Sequence, residues 1–252
     1  MNDFTDTHFH LASMREKGVD IDNLDLNYGM DAGCEADDIT YRLPLIEKHP
    51  GIVYAMAAGP WCAAKEESVA DQVALLKRNI LAHNPVCIGE IGLDAFHKYG
   101  SEEKQEELFR LQIELANELN LPIAIHTRDA DDKTIRILNE YDFKRRGIMH
   151  CFSGSTELAE TALEKGFFLS FAGNITYKAN KHLHQIAKDI PLGSLLLETD
   201  SPYLAPVPLR GRLNTPLNIE YTYGFVAELR DMGVFELKEA VKENFKTFLC
   251  LI

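Results

Sequence analysis

The sequence predicts a single α/β domain, residues 1–252, of the TIM-type (β/α)8 barrel class. Three observations carry this expectation. Eight short apolar runs have strand character, amphipathic stretches lie between them, and 252 residues suit eight βα units better than an open doubly wound sheet. No Pro/Gly/Ser-rich linker, low-complexity tract or internal repeat divides the chain.

The predicted strands, in order, are "FTDTH" (4–8), "LNYGMDAG" (26–33), "IVYAMAAG" (52–59), "VCIGEIG" (86–92), "PIAIHT" (122–127), "GIMHCF" (147–152), "FFLSFAG" (167–173) and "SLLLETD" (194–200). Most are continuous apolar runs, as expected for strands buried on both faces of a parallel sheet. The segment after the first strand is short and poorly periodic, so an irregular barrel is expected there. The clearest helix is "SEEKQEELFRLQIELANELN", with Ser101 as N-cap, Glu102 and Glu103 in the first turn, and a stripe of Leu108, Leu111, Leu115 and Leu119. A second, "STELAETALEKG", ends at Gly166.

Composition narrows the function. With 46% hydrophobic residues the chain can bury a large core. A formal charge of −13 opposes broad coating of a polyanion but leaves room for a nuclease whose bound cations reverse the field in one pocket. There is no secretory signal pattern, and no apolar run approaches ~18 residues, so a cytoplasmic protein without membrane attachment is expected. Cys34, Cys62, Cys87, Cys151 and Cys250 are scattered without a CxxC pair, which fits a reduced compartment and argues against a Cys-rich zinc site.

Metal-ligand chemistry clusters where a barrel places its active site, at the C-terminal ends of the strands. His8 and His10 end the first predicted strand, Glu90 the fourth, His126 the fifth, His150 the sixth and Asp200 the eighth. On a strand, i and i+2 share a face, so His8 and His10 can grip one ion. His182 and His184 have the same spacing, but Leu183, Ile186, Ala187 and Ile190 give their segment a helical period, so they read as surface or packing residues. Each candidate ligand has a bland reading alone, as a core histidine, a buried ion pair or a turn cap. Burying all six separately would strand polar groups at ~1–3 kcal/mol each. Together they read as a metal site.

The sequence resembles the TatD family of metal-dependent hydrolases. The matching stretches are "DTHFHL" (6–11), "IGEIGLD" (88–94), "ELNLPIAIHTRDA" (118–130), "GIMHCFSG" (147–154), "GFFLSFAGNIT" (166–176) and "LLLETDSPYLAPVPLRGRLNTP" (195–216), covering nearly the whole chain. The resemblance implies a two-metal deoxyribonuclease acting on DNA, as a single strand or at a 3′ end, with Mg²⁺ favoured and Mn²⁺, Zn²⁺ or Ni²⁺ also compatible with the donors. It implies that His8, His10 and Asp200 hold one ion, that His126 and His150 hold the second, that Glu90 bridges both, and that Asp200 is the general base. Arg128, Arg210 and Arg212 on predicted active-face loops are candidate phosphate contacts. For Arg128 a role in organising carboxylates stands beside that. Asp94 and Glu198 are candidates to orient ligand imidazoles, Glu198 with a buried structural role as its alternative.

One departure from the family concerns the turn after the third strand. A Gly-x-His-Pro turn is frequent in the family, whereas this chain has Gly59-Pro60-Trp61-Cys62. Trp61 reads as a core plug or as a base-stacking side chain. Two rival functions remain. One is a barrel hydrolase of a small ester, lactone or phosphotriester, disfavoured because Glu90 stands where that group often has a carboxylated Lys. The other is a noncatalytic metal-stabilised module, disfavoured by an open site that keeps Asp200. No obligate protein partner is indicated, and monomer and homo-oligomer are both left open.

Overall fold

The computed structural model describes residues 3–24 and 28–250. Its strands are β1 (Thr5–Phe9), β2 (Tyr28–Asp31), β3 (Ile52–Met56), β4 (Cys87–Asp94), β5 (Ile123–Arg128), β6 (Ile148–Met149), β7 (Phe168–Phe171) and β8 (Leu195–Leu197). They form one eight-stranded sheet in sequential order, β1 to β8. The pairs β1/β2, β3/β4, β4/β5, β5/β6 and β7/β8 are parallel. The first and last strands lie side by side: Thr7 Oγ1 donates to Leu197 O at 3.2 Å, and Asp200 N–H donates to His8 O at 3.0 Å. A sequential parallel sheet whose first strand meets its last is the strand plan of a TIM-type (β/α)8 barrel.

The helices are α1 (Leu11–Glu16), α2 (Ile39–Ile46), α3 (Val69–His83), α4 (Glu102–Leu119), α5 (Asp131–Glu140), α6 (Thr156–Glu164), α7 (Lys181–Asp189), α8 (Ile219–Leu229) and α9 (Val234–Leu249). Ser101 caps α4 by accepting from Lys104 N–H. The buried face of α4 is set by Leu108, Phe109, Gln112, Ile113, Leu115 and Ala116, so Leu111 and Leu119 of the expected stripe fall on its margins. Gln112 turns the face: its amide accepts from Ala58 N–H at 2.8 Å and donates to Ala58 O at 2.9 Å, holding the backbone just beyond β3. Ser155 caps α6, and Gly166 follows that helix at φ +76°, the left-handed position glycine takes without penalty. The first helix is only six residues long, an irregularity in the region where the sequence has little periodicity. No helix among the described residues is long and apolar enough to cross a membrane.

Most strand runs differ from expectation at their ends, and three of the differences bear on the candidate ligands. β4 extends to Asp94, so Glu90 lies within the strand and not at its end. β6 and β8 are short because Cys151 and Asp200 take positive φ (45° and 52°) and swing the chain out of the ladder. Residues 26–27 of the predicted second strand lie outside the described residues.

By its contacts the chain divides into two compact units. One comprises Met1–Asp31, Arg42–Val53 and Leu169–Ile252, and the other Ala32–Tyr41 and Tyr54–Phe168. Each carries half of the predicted ligands.

Candidate metal centre

In the first unit, His8 is the fourth residue of β1 and His10 follows that strand in extended conformation (φ −126°, ψ 92°). Phe9 between them is fully buried, so alternation sends the two imidazoles to one face. Their rings meet edge to face with centroids 5.0 Å apart. His10 Nε2 lies 3.3 Å from Asp200 Oδ1, and one donor atom from each of His8, His10 and Asp200 lies within 4.8 Å of the others.

Five buried hydrogen bonds fix this trio. His10 N–H donates to Ser201 O at 2.9 Å. Asp31 at the end of β2 accepts from Leu11 N–H at 2.8 Å and from Arg42 Nε at 3.0 Å, pinning the chain directly after His10. Asp6 accepts from Thr199 N–H at 2.9 Å and Thr199 Oγ1 at 2.6 Å, which holds the turn presenting Asp200. Burial pushes the Asp6 carboxyl well above the usual carboxylate range despite those bonds. Glu198 is fully buried beside this turn, its N–H donating to Phe171 O at 3.1 Å.

In the second unit, Gly89 pairs with Ala124 and Ile91 with Ile125, leaving Glu90 as an extra residue in β4. Such a bulge re-aims a side chain. Glu90 Oε1 lies 2.7 Å from His126 Nδ1 and 3.0 Å from His150 Nε2, and those nitrogens are 3.3 Å apart. Gly92 makes room for His126: at φ +139°, a Cβ there would sit 2.0 Å from His126 O. On its other side His126 Nε2 lies 3.3 Å from Asp94 Oδ2, which also receives His97 Nδ1 at 2.8 Å, while Asp94 Oδ1 accepts from His97 N–H at 2.8 Å. Gln105 clamps the same turn by donating to Tyr99 O and accepting from Asp94 N–H, both at 2.8 Å.

Electrostatics in this unit follow from those contacts. Burial opposes charge on Asp94, yet hydrogen bonds with His126 and His97 outweigh it and hold the carboxyl well below its usual range. Burial opposes charge on His126 as well, and the Asp94 and Glu90 bonds outweigh it, raising that imidazole.

For the metal-free protein the sign is therefore fixed. His126 contributes stability that is full below its unfolded pKa of ~6.5 and is lost as pH rises through its higher folded value. Asp94 contributes stability present above ~3.9 and lost as pH falls through its depressed folded value. Metal binding needs neutral imidazole, so it should strengthen over the range in which His126 loses its proton. Melting curves of the stripped and metal-loaded forms between pH 6 and pH 9 are expected to diverge with rising pH. Parallel curves would refute the linkage.

The donor sets fit divalent cations. Each trio has two imidazoles and one carboxylate, with ligand atoms within 4.8 Å of one another. In the second trio two ring nitrogens converge on a single carboxylate oxygen, a donor set that one cation can engage at once when the imidazoles are neutral.

Trp61 lies half-buried in the 3-10 turn Pro60–Ala64. Its indole N–H donates to Cys34 O at 2.9 Å, and its ring meets the His126 and Tyr99 rings edge-on, with centroids 6.3 and 6.4 Å away. A Cβ at Gly59 would lie 2.2 Å from that ring, so Gly59→Ala is expected to displace the indole and cost about 1–3 kcal/mol. Because Trp61 is the sole tryptophan, its fluorescence should shift with the loss of stability. Unchanged emission and an unchanged denaturation midpoint would show that the turn relaxes freely.

Arg128, Arg210 and Arg212 are all exposed. Arg128 at the end of β5 stacks its guanidinium 4.0 Å from the Phe96 ring centre. Arg210 stacks over Tyr177 at 4.4 Å, and Arg212 N–H closes a turn on Leu209 O. His182 and His184 lie on α7, where His184 Nε2 is 2.7 Å from Ile175 O.

Comparison with known proteins gives the family of the chain. The family profile described as "TatD related DNase" matches residues 5–249. The chain belongs to the TatD family. It is 38% identical over 215 residues to the uncharacterized metal-dependent hydrolase YabD of Bacillus subtilis, covering 85% of this chain and 84% of that one. It is 31% identical over 250 residues to the uncharacterized metal-dependent hydrolase YcfH of Escherichia coli K12, covering 95% and 93%. The crystal structure of YjjV, a TatD homologue from Escherichia coli K12, superposes with a TM-score of 0.86 at 28% identity, covering 98% and 97%. This TatD-family chain is thus a metal-dependent hydrolase with the TIM-type fold.

Four residues that support this TatD-family site escaped the sequence reading: Asp6, Asp31, Arg42 and His97. Only His97 carried a local signal, its i,i+3 spacing from Asp94. The partners of Asp6 and Asp31 are set by tertiary structure.

Proposed function

We propose that the protein is a deoxyribonuclease that hydrolyses phosphodiester bonds in DNA, shortening single strands from a 3′ end in the cytoplasm. What carries this reading is the pair of His/carboxylate trios on strands and in the segments just after them, in a chain whose family is described as DNases. His8, His10 and Asp200 would hold one divalent ion, and Glu90, His126 and His150 a second. Sharing of Glu90 between the ions rests on the family resemblance alone. Divalent ions so bound, Mg²⁺ first among them, would activate water and neutralise charge on the phosphodiester.

The chain's own residues supply the rest. Asp200 takes the proton of the attacking water. Asp94 orients the His126 ring, and Asp31 and Asp6 hold the backbone that carries His10 and Asp200. Arg128, Arg210 and Arg212 contact backbone phosphates. None of the five cysteines is joined in a disulfide, in keeping with a reducing location.

The test is digestion of a 5′-labelled single-stranded oligonucleotide by metal-stripped protein, with Mg²⁺, Mn²⁺ or Zn²⁺ restored in turn. A ladder of shortened products that requires metal supports the reading. An oligonucleotide left intact under every metal, with ions bound, would overturn it in favour of a small ester or lactone substrate.

A further inference from the structure

The side chains beside His126 form a continuous rim of rings that metal binding does not use. From the surface inward, Arg128 covers one face of Phe96 at 4.0 Å, and Phe96 meets His97 edge-on at 4.9 Å. His97 stacks on Tyr99 at 5.2 Å, Tyr99 meets Trp61 at 6.4 Å, and Trp61 meets His126 at 6.3 Å. Phe96 stands 55% exposed although it is a large apolar ring. It follows β4, and Arg128 ends β5 two residues after His126, so both lie at the C-terminal ends of the strands that contain Glu90 and His126.

The pairing of this ring with this cation has chemical content. A guanidinium stacked on a ring spends only its π-face, and its in-plane N–H donors stay directed outward, suited to a bidentate anion. An exposed aromatic next to a guanidinium therefore offers a flat apolar surface and an oxyanion contact side by side. A nucleotide presents the same two features, a base and its phosphate. The surrounding protein is acidic, at −13 overall, so a local cation here selects where an anion settles.

We propose that Phe96 and Arg128 form a nucleotide subsite, in which an unpaired base stacks on Phe96 while the adjoining phosphate is held by Arg128. The proposal rests on the nuclease reading and deepens it by naming where one base and its phosphate are held. A base can present its face to Phe96 only when it has left the duplex stack, so the subsite takes single strands or frayed ends. Stacking uses a π-face that every base has, so it is tolerant of sequence.

The experiment compares KM and kcat of the metal-loaded wild type, Phe96→Ala and Phe96→Trp on a single-stranded oligonucleotide, and on the same strand with abasic residues at its 3′ end. The alanine variant is expected to raise KM for the normal strand about tenfold with little change in kcat. Tryptophan should restore KM, and the alanine penalty should vanish on the abasic strand, whose base is already gone. Equal penalties on both strands, or a KM unmoved by Phe96→Ala while wild type digests DNA, would overturn the subsite and leave the nuclease reading standing. A wild type that cuts neither strand would overturn both. Because Phe96 is exposed, its replacement spares the core, and a matching melting temperature confirms that each variant is folded.

Discussion

Replacing Asp200 by asparagine is expected to lower phosphodiester hydrolysis by about 10²–10⁴-fold, the usual worth of a positioned general base. The choice of asparagine follows from the backbone. Asp200 sits at φ +52°, a left-handed conformation that Asn tolerates and Ala resists, so Asp200→Asn removes the charge without straining the turn. The Ser201 carbonyl that accepts from His10 N–H should stay in place. The His10 contact at 3.3 Å loses its ionic character, so metal affinity of that trio should fall together with turnover. Calorimetric metal titration beside single-turnover digestion separates the two effects. Full activity in Asp200→Asn at saturating metal would remove Asp200 from the reaction.

The largest effect on stability is expected from Asp31→Ala. Asp31 is fully buried and Arg42 is 2% exposed, so the substitution removes the carboxylate 3.0 Å from Arg42 Nε in the interior, at a cost of about 3–5 kcal/mol. It also strips the acceptor from Leu11 N–H, the amide that follows His10. Urea denaturation of the metal-free variant reads the first loss, and weakened metal binding by the His8/His10/Asp200 trio reads the second. A destabilisation below about 1 kcal/mol would mean that water or a side-chain movement satisfies Arg42 instead. Asp31→Asn separates the roles, since it keeps an acceptor for Leu11 and removes only the charge.

Much of this was legible in the residues. Continuous apolar runs placed most of the eight strands, because strands covered on both faces need no alternation and leave an unbroken apolar signature. The two HxH pairs were separable by period alone: one pair straddles the end of β1, the other lies on α7. Strand ends were harder. Asp200 and Cys151 leave the ladder through positive φ, a choice the flanking structure makes for residues with no glycine's freedom. The extension of β4 past Glu90 needed the bulge opposite Ala124 and Ile125, a relation between strands invisible along one. Trp61 proved to be neither wholly a plug nor wholly open, because its neighbours Tyr99 and His126 come from distant segments. The Leu stripe of α4 was read one step off, since Gln112 turned inward for a backbone partner that hydrophobicity cannot announce.

The joining of β1 to the segment after β8 also has a consequence for how the protein is made. The Asp6 and Thr199 side chains meet across 193 positions of sequence, and Thr7 reaches Leu197 across 190. On the ribosome, β1 emerges 190 to 193 residues before these partners. The unit containing Tyr54–Phe168, whose contacts are mostly with itself, has no such wait. Vectorial synthesis should therefore leave β1 without these partners until the segment after β8 has been made, and the His8/His10/Asp200 trio should assemble after the residues of the Glu90/His126/His150 trio have all been translated.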